Sequence, residues 1–415
     1  MSEGRKYIIL VGDGMGDYPI ESLGGKTPLE VARTPNIDRL CLYGEIGLVR
    51  TIPDGMEPGS DVANMSLLGY DPVKCHTGRG PLEAASIGVK LGEADVAFRC
   101  NLVTVEERDG VRIMADYSAG HISTEEARKI VADLQGATAD LPLRLYPGVS
   151  YRHLLVWNGG ADDIGTTPPH DITGQPVEQY EKVYEETPIL REFRQRAEEI
   201  LRHHPVNLAR LNKGERAATA VWPWGQGKAP RMETLRERCG IDGVMISAVD
   251  LLKGIGVYAG FETPDVPGAT GYLDTNYEGK VETAIRILER VDLAYIHIEA
   301  PDETGHEGSL DKKIQAIEEF DTRVVGPVLE MSLRFPEVDV MVVTDHYTPI
   351  SVRTHVSDPV PFLIVRDVSV RKRGGNPVSD SNRRFTEKNA LSSNLKFDSG
   401  PELFDYFVRC SNERG

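Results

Sequence analysis

VDVMVVTDH, residues 338–346, runs through four consecutive apolar residues and then stops on Thr344, Asp345 and His346. A continuous Val/Ile/Leu-type run bounded by turn residues reads as a strand buried on both faces, the signature of a parallel sheet. Two other stretches repeat the pattern. YIILVGDG (7–14) ends on Asp13, and LAYIHIEAPDETGH (293–306) runs into Asp302 and His306. Ligands in open α/β sheets bind in the crevice beyond the carboxyl ends of the strands. Three strands therefore deliver carboxylates and imidazoles to one edge. IDGVMIS (241–247) and PFLIVR (361–366) add further strands, separated by helix-like segments over 278–290 and 309–334. The fold class expected is α/β, a mostly parallel sheet flanked by helices.

The texture changes between about 85 and 230. Short strands expected over Val96 to Val105, Val111 to Met114 and Tyr151 to Trp157 alternate with a helix over Thr124 to Leu134 and a polar helix near 177–203. That mixture is α+β in character. One α/β domain, 1–84 with 231–415, interrupted by an inserted α+β domain over 85–230, accounts for both textures; such insertions succeed where chain ends meet at the surface. A length of 415 residues suits two domains. Residues 371–394, rich in Arg, Ser and Asn, read as a loop.

A net charge of −17 argues against a nucleic-acid partner, which needs a basic surface. An anionic substrate must then be attracted locally, by metal ions and a few Arg or Lys side chains. The five cysteines are scattered without CxxC spacing, which fits free thiols in a reducing compartment. The chain enters its first strand within six residues and has no segment apolar and long enough for a bilayer, so a cytoplasmic protein with no membrane partner is expected. GDGMG (12–16) is a weak dinucleotide fingerprint, since the third glycine is missing and Asp13 would repel a pyrophosphate.

Asp302 and His306 stand four residues apart, on one face of a helical turn, so both reach one ion. His355 follows His346 by nine residues, in the loop before PFLIVR, within reach of the same edge. Any one of these residues alone is a cap, a turn Asp or a surface His. Three strand-end Asp residues, two with a nearby His, point instead to metal ligation, and Asp/His sets suit Mn²⁺ or Zn²⁺. Ser60 follows Pro58-Gly59 at the start of a short helix, where its hydroxyl meets free backbone N–H groups and the positive end of the dipole. It is either a plain N-cap, with Asp61 in the first turn, or a nucleophile. Beside two divalent cations the second reading is favoured, and the chemistry is phosphoryl transfer through a phosphoserine.

GDGMGD, TPNIDRL (34–40), EPGSDVANMSLLGYDP (57–72), GRGPLEA (78–84), APDETGH (300–306), TDH (344–346) and WPWGQG (222–227) occur in the order seen in a known family. Nearly the whole chain resembles the archaeal-type, cofactor-independent phosphoglycerate mutases of the alkaline phosphatase superfamily. The resemblance implies an isomerase of glycolysis and gluconeogenesis that interconverts 3-phosphoglycerate and 2-phosphoglycerate without 2,3-bisphosphoglycerate. It implies that Asp13, Ser60, Asp345 and His346 surround one metal and that Asp302, His306 and His355 hold another. Mn²⁺ is the expected ion, with Zn²⁺, Co²⁺ or Mg²⁺ compatible, although His ligands argue against Mg²⁺ alone. The inserted domain is implied to close over the glycerate and keep water from the phosphoenzyme.

For substrate contacts the resemblance points to Lys280, beside the metals, with Arg79 near the hinge and His121 from the inserted domain. Arg79 is equally readable as a structural ion pair, and His121 as a residue preceding the cap Ser123. His170-Asp171 in TPPHDI, and Arg216 and Lys228 flanking WPWGQG, complete the set; the two Trp of that motif read as packing. The alternative activity is a metal-dependent phosphatase or phosphomutase acting on another small phosphate ester, pentose- or homoserine-related, because metals and fold do not fix substrate. A relic binding protein is disfavoured, since every ligand and nucleophile position holds competent chemistry.

Overall fold

Ile8, Ile9, Leu10 and Val11 have no solvent exposure, because β1 (Lys6–Gly12) lies inside a seven-stranded sheet with a parallel neighbour on each side. The computed structural model describes residues 4–368 and 383–410. The chain divides into two units, 1–76 with 231–415, and 77–230. The expected boundary between 84 and 85 falls inside the helix Arg79–Ser86, which belongs to the second unit.

In the first unit the other strands are β2 (Glu45–Val49), β8 (Gly243–Ile246), β9 (Leu293–Ile298), β10 (Val338–Val343), β11 (Val360–Val365) and β12 (Lys396–Phe397). Their order is β12-β2-β11-β10-β1-β9-β8. β8, β9, β1 and β10 pair in parallel, whereas β11 runs antiparallel to both β10 and β2. The sheet is thus mostly parallel, with one reversed strand that the apolar run PFLIVR could not reveal, since a buried strand looks alike in either direction. β2 and β12 were not legible as strands. Helices such as Tyr277–Leu288 and Leu310–Phe320 cover the sheet and bury Ile285, Leu288, Ile317 and Phe320 against it. The expected 309–334 helix is broken by a π-turn at Asp321–Val325. There the Asp321 carboxylate turns away to accept the backbone N–H groups of Asn36 and Ile37. Thr34 stands at the N-cap of Pro35–Cys41, but its hydroxyl bonds Asp38 rather than a backbone N–H.

The second unit is α+β. β3 (Asp95–Arg108) pairs antiparallel with β4 (Val111–Asp116), β6 (Arg152–Asn158) and β7 (Ala220–Gly227), and β5 (Leu143–Tyr146) extends β6. The helix Thr124–Ala137 opens on a full capping box between Ser123 and Glu126. The polar 177–203 segment is two helices, Glu178–Glu185 and Pro188–His203, split by Thr187-Pro188. WPWGQG is strand β7, with Trp222 and Trp224 buried as packing residues. Of the expected loop 371–394, residues 371–382 lie outside the described residues and Glu387–Leu391 is a helix. No described helix is long and apolar enough to cross a membrane.

Candidate active site

The loops after β1, β9 and β10 converge in the first unit, and each supplies side chains to one pocket. Asp13 follows β1, Asp302 and His306 lie on the helix Ala300–Glu307 after β9, and Asp345 and His346 follow β10. Gly14 between them has φ +61°, and a Cβ there would stand 2.6 Å from Thr348 Oγ1 and 2.8 Å from the Asp302 Cα. Glycine is what lets the first loop lie against the other two. Asp13, Asp302, Asp345 and His346 form a buried floor, while Ser60, His306 and His355 are partly exposed above it.

His355 Nε2 lies 3.4 Å from Asp302 Oδ1, His306 Nε2 lies 3.2 Å from Asp302 Oδ2, and the two imidazole nitrogens are 3.0 Å apart. His346 Nε2 is 3.3 Å from Asp13 Oδ1 and 3.5 Å from Asp345 Oδ2. Among the described residues, two groups have ligand atoms mutually within 4.8 Å: Asp302 with His346 and His355, and Asp13 with His297 and Asp345. His346 thus sits between the groups rather than wholly in one. His297, from β9, is a residue that sequence reasoning did not single out; its signal was a lone imidazole inside the apolar run LAYIHI.

Ser60 is not a cap. It is the first residue of the helix Ser60–Leu67, with Gly59 at the N-cap, and its Oγ lies 3.0 Å from His346 Nε2 and 3.5 Å from Asp13 Oδ2. Behind it, Asn64 Nδ2 donates to both the Ser60 carbonyl at 2.8 Å and Asp345 Oδ2 at 2.7 Å. Tyr295 donates to Asn64 Oδ1 at 2.5 Å, which fixes the amide orientation. Neither Asn64 nor Tyr295 was legible beforehand, because both look like ordinary helix and strand residues.

Several features fit this donor set to divalent cations. His306 Nδ1 donates to the Arg353 carbonyl at 3.0 Å, which turns Nε2 toward the pocket and Asp302. His297 Nδ1 and His346 Nδ1 meet the hydroxyls of Ser247 and Thr348, each at 3.3 Å, again leaving Nε2 inward. His297 Nε2 stands 3.0 Å from Asp13 Oδ2 but outside hydrogen-bond geometry, and both it and Asp13 Oδ1 are buried without a hydrogen-bond partner. Burial, with Asp345 and Asp302 nearby, pushes the Asp13 carboxyl well above its usual range. Burial beside Glu303 and Asp302 likewise lifts Glu299 to about 8. Burial would also raise Asp302, but hydrogen bonds from His306 and His355 outweigh it and hold that carboxyl low. His306 is raised to about 9, chiefly by its bond to Asp302, whereas burial lowers His297 to about 4. Crowded carboxylates facing inward Nε2 atoms form a cation-binding environment.

Lys280 is fully buried, its Nζ 3.4 Å from the His297 carbonyl and 3.5 Å from the Thr270 carbonyl, and burial lowers it to about 8. The remaining expected contacts belong to the second unit. There His170 stands edge-on to Trp224 at 5.4 Å and to Tyr117 at 6.1 Å, and His121 to Tyr151 at 6.4 Å, while Tyr117 and Tyr151 touch each other. Arg99 stacks on Trp224 at 4.4 Å and pairs with Glu83, and Arg79 packs beside Gly225. Asp171 is exposed and reaches His170 at 3.5 Å. Arg216 lies outside this cluster, engaged by Asp116 at 2.9 Å, and Lys228 pairs with Asp162 at 3.3 Å. Arg99 went unread, although a lone Arg inside the apolar strand AFRCNLV was its signal.

Residues 42–207 match the family described as 2,3-bisphosphoglycerate-independent phosphoglycerate mutase. A protein of that name from Methanosarcina barkeri is 49% identical over 409 residues, covering 97% of this chain and 99% of its own length. A solved protein of Pyrococcus horikoshii superposes with a TM-score of 0.81 at 30% identity, covering 99% of both chains. A solved cofactor-independent phosphoglycerate mutase from Thermoplasma acidophilum gives a TM-score of 0.65 at 26% identity, over 98% of this chain and 100% of its own.

Proposed function

This chain belongs to the 2,3-bisphosphoglycerate-independent phosphoglycerate mutases, and from that membership we propose how its residues carry out the isomerisation of 3-phosphoglycerate and 2-phosphoglycerate. Ser60 is the acceptor of the phosphoryl group. Two divalent ions, Mn²⁺ for preference, are assigned to Asp13, Asp345, His346 and Ser60 and to Asp302, His306 and His355, with His297 beside the first set. When bound, such ions lower the pKa of a serine hydroxyl and offset the charge on the transferring oxygens.

The residues do the rest. His346 Nε2 and Asp13 hold the Ser60 hydroxyl in one orientation. The first-turn N–H groups of Ser60–Leu67 have no helical acceptor and favour an incoming anion. The bond from phosphorus to the 3-oxygen breaks as the bond to Ser60 Oγ forms, and the serine proton passes to the released glycerate. The 2-hydroxyl oxygen then attacks phosphorus as the bond from phosphorus to Ser60 Oγ breaks, and the proton it gives up restores the Ser60 hydroxyl. Lys280, behind His297, adds positive charge to this side of the pocket. Arg79, His121 and His170 are proposed as anion-binding residues of the second unit, where with Arg99 they surround an aromatic cluster. A cytoplasmic enzyme of glycolysis and gluconeogenesis follows from this substrate.

The observation that carries the reading is the Ser60 hydroxyl, placed at a helix start and 3.0 Å from a buried imidazole among inward-facing carboxylates. Phosphorus NMR of the Mn²⁺-loaded protein with 3-phosphoglycerate, and no bisphosphoglycerate, tests it. The 2-phosphoglycerate resonance appears without free phosphate if the reading is right. Inorganic phosphate alone would make the protein a phosphatase on this scaffold.

A further inference from the structure

Cys239 closes the helix Leu235–Cys239, and Cys410 lies two residues beyond the helix Gly400–Val408. Arg409 takes a left-handed conformation (φ +57°) and the Cys410 N–H bonds back to the Asp405 carbonyl at 3.1 Å, which turns Cys410 inward. The two Sγ atoms stand 2.6 Å apart, each partly exposed, although they are 171 positions apart in the chain. Both belong to the first unit. The remaining cysteines are unlike them: Cys41 and Cys100 are buried, and Cys75 Sγ lies 3.9 Å from the Arg231 carbonyl.

We propose that Cys239 and Cys410 form a reversible dithiol–disulfide site that fastens the C-terminal helix Gly400–Val408 to the helix Leu235–Cys239. The inference is independent of the mutase reading. A disulfide needs its sulfurs to close to about 2.05 Å, a small movement from this geometry. The Arg238 guanidinium, with Nε 3.4 Å from Cys239 Sγ, offers a positive partner to a sulfur anion there. Burial and the bond to Cys239 push the Cys410 thiol up to about 12, so Cys410 enters as the protonated partner.

The oxidant is a low-molecular-weight disulfide. The Cys239 sulfur attacks one of its sulfur atoms, breaking the external S–S bond and releasing one thiol, to leave a mixed disulfide. Cys410 then loses its proton and attacks the Cys239 sulfur, releasing the second thiol. Two protein thiols are oxidised and one external disulfide is reduced to two thiols. Cytosolic disulfides of this kind are transient and redox-sensing rather than permanent.

Arg238 ties the site to the rest of the unit. It bonds the Gly69 carbonyl and stacks on Tyr70 at 5.1 Å and Phe404 at 5.2 Å, and Gly400 lies against Ser66. Fastening therefore bears on the far end of the helix that begins at Ser60.

The test treats the native full chain with oxidised glutathione and then counts thiols after denaturation. The count falls from five to three, mass spectrometry finds Cys239 joined to Cys410, and the melting temperature rises, all reversed by dithiothreitol. C239S and C410S give no internal link under the same conditions. Retention of all five thiols, or their loss only as glutathione adducts or chain-to-chain links, overturns the proposal. An internal link with no rise in melting temperature overturns the fastening role.

Discussion

Ser60 and His297 show how differently two side chains of one pocket depend on their surroundings. In the proposed reaction Ser60 supplies the reacting oxygen. S60A is expected to lower turnover on the order of 10⁴–10⁶-fold, the scale on which loss of a nucleophile acts, while Asp13, Asp345 and His346 still hold the ion at saturating metal. Steady-state rates alongside metal analysis check both halves; substantial residual turnover would rule out the phosphoserine. His297 faces Asp13 from inside a strand, with Nδ1 held by Ser247. H297N is expected to weaken metal binding by about 10–100-fold, read by competition with a chelating dye. Unchanged affinity would remove His297 from the site. The Asp and His residues at strand ends were legible because polar groups there interrupt an apolar run abruptly. His297 and Arg99 broke the same rule inside their strands, where one polar residue also reads as a satisfied core group. Asn64 and Tyr295 had no such signal, since what they do depends on contacts made across the fold.

At the scale of elements, the pocket rests on loops held from behind. Lys313, on the helix Leu310–Phe320, is fully buried and donates to the Gly16 carbonyl at 3.0 Å, the Thr348 carbonyl at 2.8 Å and Asp17 Oδ2 at 2.8 Å. It joins the loop after β1 to the loop after β10. K313M leaves the Asp17 carboxylate buried and unpaired, so a loss of about 3–5 kcal/mol is expected in denaturant unfolding. A loss below about 1 kcal/mol would show that water or another donor takes its place. In the second unit, His153 on β6 accepts the Gly148 N–H on Nδ1, and burial lowers it to about 4. The unfolded imidazole titrates near 6.5, so the unfolded state binds the extra proton between those values. Its contribution is complete above pH 6.5 and is lost as pH falls toward 4, by up to about 3 kcal/mol. H153Q is expected to flatten that part of the unfolding profile; an unchanged slope would place the acid sensitivity elsewhere. The parallel strands were legible from long apolar runs. The direction of β11, the short strands β2 and β12 and the π-turn were not, because pairing partners and the Asp321 contacts lie far away in sequence.

For the whole molecule, the mixed α/β character and the change of texture near the middle were visible from periodicity alone, and the convergence of Asp and His side chains from where they end their strands. What periodicity lacks is a statement of neighbours. Divalent ions that bind only the folded pocket stabilise it by mass action, about 2.7 kcal/mol at one hundred times the dissociation constant. Chelation is therefore expected to lower the melting temperature, and Mn²⁺ to restore it with a logarithmic dependence on concentration. A melting temperature indifferent to both would mean that these side chains hold no ion. The register of β1 has a further consequence, for biosynthesis. Tyr7 aligns with Leu293 on one side and Asp339 on the other. During synthesis β1 therefore meets neither sheet neighbour until the chain has been extended past Leu293, on the order of 15–60 s later at about 5–20 residues per second. Throughout that interval Ile8 to Val11 form an uncovered, aggregation-prone segment, a natural client for a chaperone at the tunnel exit, and the second unit is free to complete its own antiparallel sheet first.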